Sequence, residues 1–469
     1  MSFYDENAQA IKKIKYTFID IQAFSISIKD TLKLTNQDTN FLGSVEVEIF
    51  SSQDLRFSFP AVVLILKSQK FASFVHTCQR IFNTSQDQTV NHNIIDSQSG
   101  FDILPDNDLL PYIFFCNGNS SLDNTTLNCE FINNENQTFK KKINLTNLKA
   151  RQVCWVDLLS KYEKEFFNKQ KGLVNIKHNI QNSYPRFIVG NYRKDKEAIS
   201  ITHTFYNSSN KSKDNNNYVK NYHPQMYFDY TVSVPCSFKG DSKYPLYSEL
   251  VIYPLHCQFD YNYECLFFDK FGTFIAKSPV YSNKEGVDWS YINFRNILGS
   301  FNQMELLNTD LIAQVNFSSA NNEVSKRFKL GLNIGQKNKE FDIPSNICFA
   351  AFYPLENYPT QKATLRWLPL VKSRNSFFIV TNFSQFKSYS QKAQITISFW
   401  SQSKHEPIKK EITIQPNGSY WFYLNENLDI KNHLNDENGW VSISSNNYWI
   451  YTWYFTDNGS GIFGGDHGF

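Results

Sequence analysis

Hydrophobic residues recur at every second position through much of this chain, in short runs broken by polar turns. In 394–400 (QITISFW), Ile395, Ile397 and Phe399 face one way while Thr396 and Ser398 face the other. That is the period of a strand with one buried face. Further runs rich in Val, Ile, Phe, Tyr and Thr, separated by turn clusters, read as strands too. The longest apolar stretches, 60–66 (PAVVLIL) and 109–116 (LLPYIFFC), fall far short of the ~20 residues a membrane-spanning helix needs. They are expected to be buried strands. Helical spacing is confined to 6–16, 156–168, 289–298 and 424–435. In the second of these, Leu158, Leu159, Tyr162 and Phe166 share one helical face.

The strand pattern repeats. Trp155, Trp289 and Trp421 each follow two strand-like runs, with 134 residues from the first Trp to the second and 132 from the second to the third. The runs before them are 127–132 and 139–145, then 263–268 and 274–281, then 394–400 and 408–414. After each Trp come three more: 172–178, 186–192 and 199–206, then 311–317, 327–333 and 346–353, then 439–445, 449–455 and 462–469. An opening run at 111–117, 248–254 or 376–382 gives seven short strands per unit. A fainter copy at 43–50, 60–66 and 71–78 lacks the Trp. Seven antiparallel strands in each repeat predict an all-β fold of tandem immunoglobulin-like sandwiches, with short helices after the Trp strand. The expected units are 1–100 (divergent), 101–230, 231–360 and 361–469, with 207–224 as a loop or linker.

In 376–469 the order FFIVTNFS, AQITISFW, IKKEITI, QPNGSYWFYL and GWVSISS resembles bacterial immunoglobulin-like domains. There, a strand ending in Asn precedes one ending in an aromatic, then a charged strand, a Pro-x-Gly turn and an aromatic strand. Pro416, Asn417 and Gly418 supply that turn. The ending SGIFGGDHGF is similar to that of uncharacterised proteins of surface-polysaccharide gene neighbourhoods. The first resemblance implies fold alone, since such sandwiches host many unrelated functions. The second implies service to a surface glycan.

Composition narrows the function classes. With 47 Lys+Arg against 44 Asp+Glu, the formal charge is +3, too small for a broad nucleic-acid footprint. No basic start followed by an apolar stretch is visible, so the default expectation is cytoplasmic, with non-classical export to the surface as the alternative. The eight cysteines form no CxxC pair and are expected to be reduced thiols. The sequons at Asn83, Asn124, Asn144, Asn207, Asn382 and Asn417 matter only after export. Lys67, Lys70, Lys140–Lys142, Lys194, Lys196, Lys409 and Lys410 read as solvated turns and charged edges.

Few residues offer chemistry. Trp155, Trp289 and Trp421 could stack on sugar rings, but their repeated position argues for core plugs. Trp440, Trp449, Tyr451 and Trp453 crowd together near the C-terminal end. Trp449, Tyr451 and Trp453 alternate onto one face, expected to form an exposed aromatic patch suited to a glycan. His76, His203 and His467 hold one place in the last strand of three units, where the third unit has Ala350. On separate sandwiches they should lie tens of ångströms apart, given a domain radius of ~13 Å, so they read as structural and no metal is assigned. Asp466 and His467 are kept as binding candidates, with side chains expected on opposite faces. The carboxylate pairs Asp106 with Asp108 and Asp436 with Glu437 lie in polar loops and suggest no acid–base site. No catalytic residue and no cofactor is assigned. The expected function is a noncatalytic binding or structural protein that recognises a surface polysaccharide or supports its assembly, with a glycan or another protein as partner. A carbohydrate-active enzyme with an interdomain site, and a self-assembling structural component, stay open as alternatives.

Overall fold

The computed structural model describes residues 1–17, 24–33, 42–50, 62–69, 71–76, 80–81, 98–105, 109–145, 147–160, 162–180, 183–184, 187–193, 198–206, 218–220, 223–239, 246–253, 260–283, 290–301, 304–320, 323–325, 328–336, 343–351, 363–371, 375–435, 438–457 and 459–469. Most of 207–224, and Trp289, Cys78, Cys257, Asn83, Lys70, Lys194, Lys196, Asp106, Asp108, Asp436 and Glu437, lie outside them.

The first segment holds β1 (Ser2–Asp5), β2 (Ala10–Lys13), β3 (Gly43–Glu46), β4 (Val63–Lys67), β5 (Ala72–His76) and β6 (Arg80–Ile81). The first three form one sheet, and β4 pairs with β5 as a hairpin. The helix expected over 6–16 is absent. Residues 10–13 pair with β1 instead, because ladder hydrogen bonds to a neighbouring strand outweigh a weak local helical preference.

Three sandwiches follow. The first comprises β7 (Gln98–Ile103), β8 (Leu109–Cys116), β9 (Thr125–Asn133), β10 (Thr138–Leu145), β11 (Val153–Asp157), β12 (Gly172–His178), β13 (Ser183–Tyr184), β14 (Ile188–Arg193), β15 (Ala198–Ile199), β16 (Thr202–His203) and β17 (Phe205–Tyr206). After β18 (Tyr218–Lys220) come β19 (Tyr230–Ser237), β20 (Leu246–Ile252), β21 (Tyr261–Asp269), β22 (Phe274–Lys277), β23 (Tyr281–Asn283), β24 (Ser290–Asn293), β25 (Leu311–Ser319), β26 (Glu323–Ser325), β27 (Lys329–Gln336) and β28 (Ser345–Ala350). The last comprises β29 (Thr364–Leu370), β30 (Asn375–Asn382), β31 (Ala393–Ser401), β32 (Ile408–Ile414), β33 (Ser419–Tyr423), β34 (Gly439–Ser445), β35 (Ile450–Asp457) and β36 (Phe463–His467).

Each sandwich stacks two antiparallel sheets in one topology. One sheet runs β10-β9-β12-β7, β22-β21-β25-β19 or β32-β31-β34-β29; its mate runs β11-β8-β14-β15, β24-β20-β27-β28 or β33-β30-β35-β36. The class is all-β and immunoglobulin-like. The frame common to the three sandwiches has eight strands, one more than the seven expected, because β7, β19 and β29 precede the opening run. β19 is buried at every position, so it shows no alternation to read. β7 crosses the expected boundary at 100/101, and β19 the one at 230/231. Short helices follow the Trp strand: 3-10 turns at Glu163–Phe167 and Leu424–Glu426, and α-helices at Phe294–Ser300 and Leu428–Leu434. In the first of these regions Leu158 and Leu159 are buried, but Tyr162 is 80% exposed.

The Asn of the repeat signature is a brace. Asn117 Nδ2 donates to the carbonyls of Ser120, Leu148 and Lys149, and Asn382 Nδ2 donates to those of Gln391, Ile414 and Gln415. Each ties the end of the opening strand to the turn before the Trp strand. Asn382 is fully buried, so its sequon cannot accept a glycan in the folded chain. The edge strands β10 and β32 alternate outward, exposing Lys140, Lys142, Lys409 and Glu411, as solvated charged edges should. Cys116, Cys129, Cys154, Cys236 and Cys265 are unbridged. No helix among the described residues is long and apolar enough to cross a membrane.

The units close on one another in a cycle. Val75 of the first segment packs with Tyr112 and Ile201 of the second unit. Ile132, Leu173 and Phe205 of the second meet Val251, Tyr253 and Cys348 of the third. Phe377, Ile379, Trp453 and Phe455 of the fourth complete the third unit's core. Ala72 and Phe74 return to join the fourth unit's core. At the centre the last strands touch in turn: β5 meets β16, β16 meets β28, β28 meets β36 and β36 meets β5.

Candidate functional site

Glycine permits the closest of these approaches. A Cβ on Gly464 would stand 1.9 Å from the Ala72 carbonyl oxygen, so β36 lies directly on β5. Around it, the Ile201 amide donates to Ser73 Oγ at 2.9 Å, and the Phe463 amide donates to the Ile343 carbonyl at 3.1 Å.

This closure brings together the histidines that sequence reasoning had kept apart. His203 Nε2 lies 3.1 Å from His76 Nε2. The ring centroids of His76 and His467 are 4.6 Å apart, and those of His76 and His203 are 4.5 Å apart. The expected separation of tens of ångströms fails because the units wrap around an axis instead of extending in a line. Asp466 and His467 do not diverge either: one coordinating atom from each of His76, Asp466 and His467 falls within 4.8 Å of the others. His467 stays in the ladder, paired with Trp453, and it is His76, packed against both residues, that meets each side chain.

Hydrogen-bond partners fix the tautomers. Carboxylate and carbonyl oxygens only accept. His76 Nδ1 therefore donates to Asp466 Oδ2 at 2.7 Å, and the His76 amide donates to the same oxygen at 2.9 Å. His203 Nδ1 donates to the Thr204 carbonyl at 2.8 Å, and His467 Nδ1 to the Gly468 carbonyl at 3.0 Å. Asp466 Oδ1 accepts the His467 amide. Burial pushes the Asp466 carboxyl up, but the His76 charge and hydrogen bonds outweigh it and hold it below its usual range. Burial lowers His467 to about 4, aided by His76 and opposed by Asp466. His467 is thus neutral at ordinary pH.

The aromatic candidates fall elsewhere. Trp449 is 1% exposed, Trp453 0% and Trp440 8%, and Tyr451 packs against the third unit's core. The expected exposed patch is absent. The sheet carrying β35 has two buried faces: Ile450 and Tyr454 point into their own core, while Trp453 and Phe455 point into the third unit. Trp453 Nε1 donates to the Ser233 carbonyl at 3.1 Å. Trp440 stacks parallel to Trp400.

Trp155 and Trp421 are not core plugs of their own sandwiches. Trp155 is 36% exposed. Its ring stacks on Tyr112 at 4.2 Å, and its Nε1 donates to Asp157 Oδ1 at 2.8 Å, an atom Tyr192 also reaches. Trp421 faces Phe238 of the third unit. In the first and last sandwiches the Trp strand is an edge strand, and Trp155 and Trp421 stand on the outer face of their sheets.

A second buried polar cluster had no sequence signal. Asp102 accepts from Tyr253 Oη at 2.7 Å and Asn333 Nδ2 at 2.7 Å, and from Asn346 Nδ2. It joins the second unit to the third, and its members look like ordinary strand residues in sequence.

No family model matches the chain, and none of the curated proteins matches it. Among solved structures, a mutant of the major pilin from Streptococcus pyogenes is similar at 9% identity and a TM-score of 0.13, over 51% of this chain and 97% of that one. A tetra-tandem repeat from the extending region of a large adhesion protein gives 5% and 0.10, over 76% and 69%. The FN1–FN3 domains of chicken CNTN1 give 10% and 0.10, over 74% and 92%. Scores this low carry no argument, and the fold assignment rests on the strand pairing of the chain itself.

Proposed function

We propose that this chain is a noncatalytic binding or structural protein, organised as the four units 1–100, 101–230, 231–360 and 361–469 with starts adjusted to β7 and β19. One observation carries this reading. Of the histidines and the carboxylate that converge between units, His76, His203 and Asp466 are buried and His467 is only partly exposed. The recess between the third and fourth units is lined by Thr231, Ser233, Phe349, Tyr451 and Trp453, a set without an acid or a base. This counts against the enzyme alternative. The charged outer faces of β10 and β32 count against self-assembly through sheet edges.

The ligand class we propose is a surface polysaccharide. Trp155 supports it better than the C-terminal aromatics do, because a half-exposed indole held flat by Tyr112 beside the Asp157 carboxylate suits a sugar ring. The test is a glycan array with the full chain and Trp155→Ala. Binding to one polysaccharide class, lost in the variant, is the expected result; no binding by the wild type sinks the glycan reading. Reducing-end release from any bound polysaccharide would sink the noncatalytic one.

A further inference from the structure

One coordinating atom from each of His76, Asp466 and His467 lies within 4.8 Å of the others. His76 comes from the first unit, and Asp466 and His467 come from the fourth. Two imidazoles and one carboxylate are a donor set for a divalent transition metal, whereas Mg2+ and Ca2+ seek oxygen ligands. Three observations point to the atoms that would hold such an ion.

The first is the pair at the centre. His76 Nδ1 and Asp466 Oδ2 are 2.7 Å apart, joined by one proton. Two ligands ~2.0–2.1 Å from one ion lie ~3 Å from each other, so an ion in place of that proton needs the pair to open only slightly. The second is the surroundings of His76. A metal-binding histidine gives its other N–H to an outer acceptor, which fixes its tautomer and its aim. His203 donates through Nδ1 to the Thr204 carbonyl, and its Nε2 faces His76 Nε2 at 3.1 Å, so it is placed to accept that N–H. The third is His467. Its Nδ1 donates to the Gly468 carbonyl at 3.0 Å, which leaves the lone pair of the neutral ring on Nε2. Its side chain is only partly buried. Ligands of one ion stand ~3–4 Å apart, so His467 has to swing inward by about 1 Å.

We propose that His76 Nδ1, Asp466 Oδ2 and His467 Nε2 bind one divalent transition-metal ion, with His203 as the residue that orients His76. The Nδ1 proton leaves to solvent as the ion enters. Backbone amides hold the carboxylate in place: that of His76 donates to Oδ2 at 2.9 Å and that of His467 to Oδ1 at 2.8 Å. Three protein ligands leave one position of a tetrahedral ion open. Lys329 acts on His467 as a nearby positive charge, so a small anion such as hydroxide suits that position. The ion would clasp β5 of the first unit to β36 of the fourth, where the cycle of units closes. The proposal is independent of the glycan reading, since metal binding neither requires nor excludes it.

The experiment uses the full chain without a histidine tag. Metal content is measured after dialysis against Zn2+, Co2+ binding is followed by its visible absorption, and thermal melts are compared with and without Zn2+. The expected result is one ion per chain, binding weaker by about tenfold or more in His467→Gln and Asp466→Asn, and a melt that Zn2+ raises in the wild type but not in His467→Gln. His467→Cys keeps a ligand and should add a cobalt–thiolate band, which a merely structural residue would not give. His203→Gln keeps an acceptor for His76 in its amide oxygen and should bind nearly as the wild type does. Failure of the folded wild type to take up Zn2+, Co2+ or Ni2+ overturns the proposal. Uptake unaffected by His467→Gln overturns it as well, and a loss in His203→Gln as large as that in His467→Gln overturns the placing of His203 outside the ligand set.

Discussion

The hydroxyl of Tyr253, in the third unit, donates to Asp102 of the second at 2.7 Å, across 151 positions of sequence. Asn333 and Asn346 complete the shell around the same carboxylate. A hydrogen bond to a charged group contributes about 1.5–3 kcal/mol, and an orphaned buried donor costs about 1–3 kcal/mol. Tyr253→Phe should therefore destabilise the chain by about 1.5–3 kcal/mol and Asp102→Leu by more, since three donors lose their acceptor. The double variant should be less than additive. Urea denaturation measures all three; additive losses would mean the cluster does not act as a unit.

Gly464→Ala tests the centre. The added Cβ meets the Ala72 carbonyl, a backbone atom that cannot rotate aside. Overpacking of this kind costs about 1–3 kcal/mol. A thermal melt unchanged by the substitution would show that β36 and β5 are not in contact.

Two tryptophans should respond to different degrees. Trp453→Ala empties a closed space between units and should cost about 3–5 kcal/mol. Trp155→Ala loses one stacked contact and should cost about 1 kcal/mol. Equal losses would contradict the placement of Trp155 on an outer face.

His178 gives a pH dependence. It is buried on β12, its Nδ1 accepts the Ile180 amide, and its ring meets the edge of Phe187. Burial lowers its pKa to about 4 from the ordinary 6.5. The unfolded chain then binds a proton that the folded chain refuses. The neutral ring's contribution is complete above about pH 6.5 and declines as pH falls toward 4, by about 3 kcal/mol in total. Stability from urea melts at pH 7.5 and 4.5 should fall less in His178→Leu than in the wild type. Equal falls in both would exclude His178 as the source.

Much of the fold was legible because each sandwich is built locally. The alternation in 394–400 became β31, and the Asn before the turn became the Asn382 brace. β7 and β19 were missed because a strand buried on both faces has no period to detect, and β29 because only its last three residues are buried. The site was legible only in part. His76, His203 and His467 were recognisable as equivalent, but their meeting depends on how outer faces pack, which no local pattern records. The same packing hid the fate of Trp449 and Trp453. A second bulky face on β35 could mean exposure to a ligand or contact with a neighbouring unit, and sequence does not distinguish them.

The closed cycle of last strands also dictates an order of events. His76 and Asp466 are 390 positions apart, so their contact is among the most non-local the chain can make. Loop closure of that length comes late in folding, and a chain synthesised from its N-terminus cannot make it until β36 has emerged. The β4–β5 hairpin must therefore wait with Ala72 and Phe74 uncovered on its β36 side. During synthesis it is a sticky half-interface, and the window for misassembly or chaperone capture lasts until the final strand arrives.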